Sequence, residues 1–127
     1  MARNMSFMLT PRQLLYGDPS WKDVTRRLGW WFLQPGDQLM ACEKCQGLGK
    51  GGKLNRYGLI DIVSNRAEPL NSITEADCIR EGFPEFSPQQ FVEFFCDTHR
   101  GCQPSTIVNR IEFINPFRNA TGLKGSE

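Results

Sequence analysis

Apolar and polar positions alternate most regularly near the end of the chain. Ile107, Asn109, Ile111 and Phe113 fall on one side, and Val108, Arg110, Glu112 and Ile114 on the other. That period of two predicts a strand over Thr106–Ile114. Pro35-Gly36-Asp37 reads as a turn, after which Gln38–Cys45 reads as another strand. Leu54–Val63 holds Tyr57, Leu59, Ile60 and Ile62, and reads as the return strand of a long hairpin. Between them, Gln46–Lys53 carries four glycines and two lysines, a composition that predicts an exposed, mobile loop.

Three stretches carry helix signals. Thr10-Pro11 opens the first, with Gly17 as its stop. Thr74 with Asp77 three residues on predicts a capped start for the second, and Gly82 its end. Ser87-Pro88 opens the third. Phe86 and Phe91 sit at its staple positions, Phe91, Val92, Phe94 and Phe95 form an apolar face, and the end is expected near Gly101. From about Asn119 onward the chain is polar, and 119–127 is expected to be a disordered tail. Three short helices and at least three strands, with strands grouped early and late, favour an α+β domain on a small curved sheet or β-barrel. The phenylalanines suit the inside of such a barrel.

The bulk numbers narrow the class. A chain of 127 residues makes a single domain, 1–127, with its core expected over about 6–114. No run approaches the ~18 consecutive apolar residues of a membrane span, and no apolar segment follows Met1-Ala2-Arg3-Asn4 as a signal peptide would require. Five cysteines, an odd number, fit a reducing compartment, so a cytoplasmic location is expected. The net charge of +1 argues against a blanket electrostatic grip on nucleic acid. Its distribution is uneven, however. Residues 22–56 hold seven basic side chains against three acidic, and residues 68–97 hold seven acidic against Arg80 alone. One side of the fold can then carry a local positive field, or the two blocks can neutralise each other.

Trp21–Asp37 draws these threads together. Lys22, Thr25, Arg26 and Arg27 precede the apolar run Leu28–Leu33. A cationic, hydroxyl-bearing loop against an aromatic wall suits an anionic or polar ligand, although such runs are commonly just solvated. Trp30 or Trp31 could stack on a base, although an adjacent pair more often divides into one core and one rim residue, the reading favoured for these two. Lys50 and Lys53 from the glycine-rich loop, and Lys44 just ahead of it, are candidate ligand contacts. Cys42, Cys45, Cys96, His99 and Cys102 have the residue types of a zinc site. A strand would turn Cys42 and Cys45 to opposite sides, and Cys45, Cys78 and Cys96 also read as small buried apolar residues. No metal and no cofactor are therefore expected.

The ordered set Lys22-x-x-Thr25-x-Arg27, an apolar patch, Pro35-Gly36-Asp37, a hairpin, Arg80-Glu81-Gly82-Phe83 and the strand Val108–Phe113 resembles the ASCH domain family. The resemblance runs from about Ser6 to Ile114. It implies a PUA-like β-barrel flanked by short helices, association with RNA, and a cleft for a nucleotide or base. One small subgroup of that family consists of amidohydrolases that deacetylate N4-acetylcytidine. Its lysine, threonine and glutamate fall on Lys22, Thr25 and Glu81, and a following arginine falls on Arg27. Trp30-Trp31 and the cysteine segments have no counterpart in that subgroup. Thr25 would then be the nucleophile, Lys22 its base, and Glu81 the donor of a proton to the leaving nitrogen. Arg27 would hold the oxyanion or a phosphate. A helical turn would bring Lys22 and Thr25 to one face, whereas a strand would separate them. Two other readings stay open: a non-catalytic reader of RNA or a modified base, and a module in which the loop Gln46–Lys53 meets an acidic protein.

Overall fold

The computed structural model describes residues 3–7, 22–42 and 56–114, at 56 and 57 the backbone alone. The chain runs through β1 (Arg3–Ser6), β2 (Val24–Arg27), β3 (Gln38–Cys42), β4 (Arg56–Pro69), one 3-10 turn (Leu70–Ser72), α1 (Glu75–Arg80), α2 (Pro88–Thr98) and β5 (Ile107–Ile114). The strands form one sheet in the order β1-β3-β4-β5-β2. β1 pairs with β3 in parallel, and the other pairings are antiparallel. This is a small α+β fold. No described helix is long and apolar enough to cross a membrane. The helix expected over 10–17, the loop over 46–53 and the tail over 119–127 lie outside the described residues.

The hairpin read from the sequence is present, with Leu39 opposite Ile60. Its second strand continues to Pro69, six residues beyond the expected end. The reason is a bulge. Ile62 faces Phe113 and Ser64 faces Glu112, which leaves Val63 as an extra residue. An extra residue inverts the side-chain alternation. Ile60 and Ile62 point to the inner core before the bulge. After it, the odd positions take that side. Asn65 donates to the carbonyls of Trp30 and Leu33 there. Glu68 is thereby left facing the helices, bonded to Arg26.

The sheet separates two apolar clusters. The inner one gathers Met5, Phe7, Leu39, Ile60, Ile111 and Phe113, with others, inside the curl. The outer one packs Leu70, Ile73, Phe91, Val92, Phe95 and Val108 under the helices. β5 serves both, sending Ile111 and Phe113 inward and Val108 outward, so its central residues are buried on either side. The helices start where the sequence marks them. Thr74 accepts from the Asp77 amide. Ser87 and Gln90 form a reciprocal capping box behind Pro88. Gly82, at φ 93°, supplies the left-handed turn after α1. α2 stops at Thr98, three residues short of Gly101.

The expected barrel is not closed among the described strands. β1 and β2 are the two edges of an open sheet. Curvature still brings them close, and the Arg27 guanidinium on β2 lies 4.7 Å from the centre of the Phe7 ring, the residue after β1. The site described next sits in the gap between these two described edges.

Candidate functional site

Val24–Arg27 forms a strand, not the loop expected from its charge. Its register on β5 sets Thr25 opposite Ile111 and Arg26 opposite Arg110. Thr25 and Arg27 therefore take the inner face, where Arg27 Nε donates to Thr25 Oγ1 at 3.1 Å. Val24 and Arg26 take the helix face. Lys22 lies two residues ahead of the strand, at the point where the Asp23 amide donates to the Arg80 carbonyl. That bond ties the start of β2 to the C-terminal end of α1, which places Glu81 beside Lys22.

A buried ion cluster follows from this docking. Lys22 Nζ donates to Glu81 Oε1 at 2.6 Å and to the Glu81 carbonyl at 3.1 Å. Arg26 contacts Glu81 at 3.4 Å, Glu68 at 2.6 Å and Asp77 at 2.8 Å, and its side chain has no exposed surface. Asp77 also takes both ends of the Arg110 guanidinium, at 2.7 and 3.0 Å. Arg66, Arg110 and Arg26 stand opposite one another across three strands. Such a row of like charges is unfavourable without counter-charge, and Asp77, Glu68 and Glu81 provide it. Arg26 Nε is the one buried side-chain nitrogen or oxygen among the described residues without a hydrogen-bond partner.

The cluster perturbs its members. Burial pushes the Lys22 amine below the ordinary lysine value; the Glu81 charge opposes this, and Arg27 and Arg26 add to it. The Arg110 hydrogen bonds hold the Asp77 carboxyl well below the usual carboxylate range, against its burial and with help from Arg26.

Above the cluster lies a cavity of about 280 Å³. Its polar end is made by Lys22, Thr25, Arg26, Arg27 and Glu81, which all line it. Because β2 is an edge strand, the cavity wraps around it and meets side chains of both faces. That is how Lys22 and Thr25 reach one space without a helical turn between them. The opposite wall is aromatic. Phe83, Phe91, Phe94 and Phe95 line it, and their rings contact one another at 5.3 to 6.4 Å. Phe7 and Ser6 close the β1 side, and Thr98 and His99 form the end at the C-terminus of α2.

The two tryptophans are not part of this cavity. Trp30 packs on the inner core, its amide bonded to Asn109 Oδ1, and Trp31 is half exposed. Lys44, Lys50, Lys53 and Cys45 lie outside the described residues. Cys42 is buried on β3, with its thiol toward the Met40 carbonyl. Cys96 and Cys102 are neighbours packed against the outer cluster. Among the described residues no three histidine, cysteine, aspartate or glutamate side chains are grouped to hold a metal.

Asp77, Arg110 and Glu68 carry the site's electrostatics, and sequence reasoning did not single them out. Asp77 read only as a cap partner and Arg110 as an alternating polar position. A signal existed in the acidic block opposite the basic one, but pairing them required the sheet register. No family model, no curated protein and no solved structure matches this chain.

Proposed function

We propose that the cavity binds a nucleoside-like ligand and hydrolyses the amide of an N4-acylated cytosine, in line with the ASCH resemblance and its PUA-like architecture. The observation that carries this reading is the meeting of Lys22 with Glu81 at 2.6 Å, across 59 residues of sequence, in the cavity that Thr25 also lines. The resemblance named those three residues together, and residue types alone gave no reason for them to converge.

The chemistry follows from the pairing. Arg27 Nε occupies a lone pair of the Thr25 hydroxyl, so the hydroxyl hydrogen is turned toward another acceptor. Moving the shared proton from Lys22 to Glu81 gives a neutral amine and a neutral carboxylic acid. Burial favours the neutral amine of Lys22. The amine takes the Thr25 proton as Oγ1 attacks the acyl carbon. The carboxylic acid returns a proton to the exocyclic nitrogen as the C–N bond breaks. Water then releases the acyl group from Thr25. The apolar phenylalanine wall faces the flat ring of the base.

The experiment is N4-acetylcytidine hydrolysis followed chromatographically. Thr25→Ala should lower turnover by about 10³-fold or more while still binding cytidine. Lys22→Arg should be inactive as well, since a guanidinium does not act as a base near neutral pH. Full activity in Thr25→Ala would remove Thr25 as nucleophile. Cytidine binding by wild-type protein without turnover anywhere from about pH 6 to about pH 9 would leave a non-catalytic reader. That second reading draws on the Lys22–Glu81 pair as a ready clamp for an exocyclic amine.

A further inference from the structure

The cavity is graded in depth. Lys22 and Glu81 are buried, whereas Thr98 is exposed and His99 half-buried, so the α2 end forms the mouth. At the mouth His99 is held in a defined pose. Its ring lies parallel on Phe95, with centroids 3.8 Å apart and an angle of 6°. Its Nδ1 is 2.9 Å from the Phe95 carbonyl and 3.0 Å from Thr98 Oγ1. The Thr98 hydroxyl itself donates to the carbonyls of Phe94 and Phe95.

These contacts fix the tautomer. A carbonyl oxygen only accepts, so Nδ1 carries the hydrogen, and Nε2 of the neutral ring is an acceptor. Nε2 makes no hydrogen bond with any described residue. The phenylalanine wall has no polar side-chain atom, so Nε2 and the Thr98 hydroxyl are the polar atoms on that side of the cavity. The hydroxyl hydrogen is already spent on backbone carbonyls, which leaves Nε2 as the acceptor of a ring held in one pose at the lining of the cavity.

We propose that His99 is a specificity-determining residue whose Nε2 accepts a hydrogen bond from the 2′ or 3′ hydroxyl of a nucleoside, with the base seated deeper against the phenylalanines. This rests on the nucleoside reading above and adds to it: the mouth selects a glycosylated base over a free one. The stacked pose matters because a ring fixed before binding loses little freedom when it bonds the ligand.

The test compares cytosine, cytidine and 2′,3′-dideoxycytidine by calorimetry, on wild-type protein and on His99→Phe. Phenylalanine keeps a ring over Phe95 and lacks the nitrogen. Wild type should bind cytidine about fivefold more tightly than dideoxycytidine. His99→Phe should lose about that factor for cytidine and nothing for dideoxycytidine or cytosine. Equal wild-type affinity for cytidine and dideoxycytidine would overturn the proposal without any variant. So would an equal loss for all three ligands in His99→Phe, which would show that the ring acts through packing alone. Wild-type protein that binds none of the three would overturn the nucleoside reading itself, an outcome distinct from binding all three without discrimination.

Discussion

The two ends of the cavity are built on opposite principles. The aromatic end comes from residues close in sequence, since Phe91, Phe94 and Phe95 share a face of one capped helix and Phe83 lies in the turn before it. The ionic end is assembled from five places: the residue ahead of β2, β2 itself, the end of β4, the length of α1 and Arg110 on β5. Local spacing makes the first robust and replaceable. Long-range register makes the second all-or-none, because each buried charge depends on partners held by other elements.

The largest effect should therefore come from the ionic end. Asp77→Ala leaves both Arg26 and Arg110 short of a partner, and should cost about 3–5 kcal/mol in urea unfolding. Phe91→Leu, at a position just as central to the outer cluster, should cost only ~1 kcal/mol because volume is nearly kept. A smaller loss for Asp77→Ala than for Phe91→Leu would break the contrast.

The pH dependence sharpens it. Asp77 is held below its unfolded value, so it stabilises the fold above about pH 4 and loses that contribution as pH falls below it. Asp77→Asn should flatten the acid arm of a stability profile. Lys22 is also depressed, but it is a base. The unfolded chain then binds more protons in the window between its lowered value and the ordinary 10.5, and stability rises with pH there. Lys22→Met should abolish that rise; if the rise persists, another group is its source. A second small effect, of the size of Phe91→Leu, belongs to the aromatic end. Ser87→Ala removes one half of the α2 capping box and should cost ~1 kcal/mol, read as a lower melting temperature with the cavity chemistry unchanged.

The same contrast governs what the sequence discloses. α2 was legible because its cap, proline, staple and apolar face lie within ten residues, Phe86 to Phe95. β5 was legible through strict alternation. β2 was not, since a strand reading Val-Thr-Arg-Arg hides its buried arginine, and only carboxylates from elsewhere make that burial tolerable. β1 was missed because four residues, Arg-Asn-Met-Ser, show no alternation, and a parallel partner leaves no hairpin signal. The far half of β4 was hidden by the bulge at Val63, which breaks the period at the place where it would have been counted. For the site, the resemblance gathered Lys22, Thr25, Arg27 and Glu81, yet nothing in spacing pointed to His99 as more than a metal candidate. Its role depends on where the last turn of α2 lands against the open edge of the sheet.

That open edge has a consequence for assembly. β2 offers one side to β5 and turns the other toward the gap before Ser6 and Phe7. An edge that no described strand pairs with is a template for another strand. Any peptide that added itself along β2, from a partner or from a second copy of the chain, would take up the space a ligand needs. Binding small molecules and growing the sheet are mutually exclusive uses of one gap.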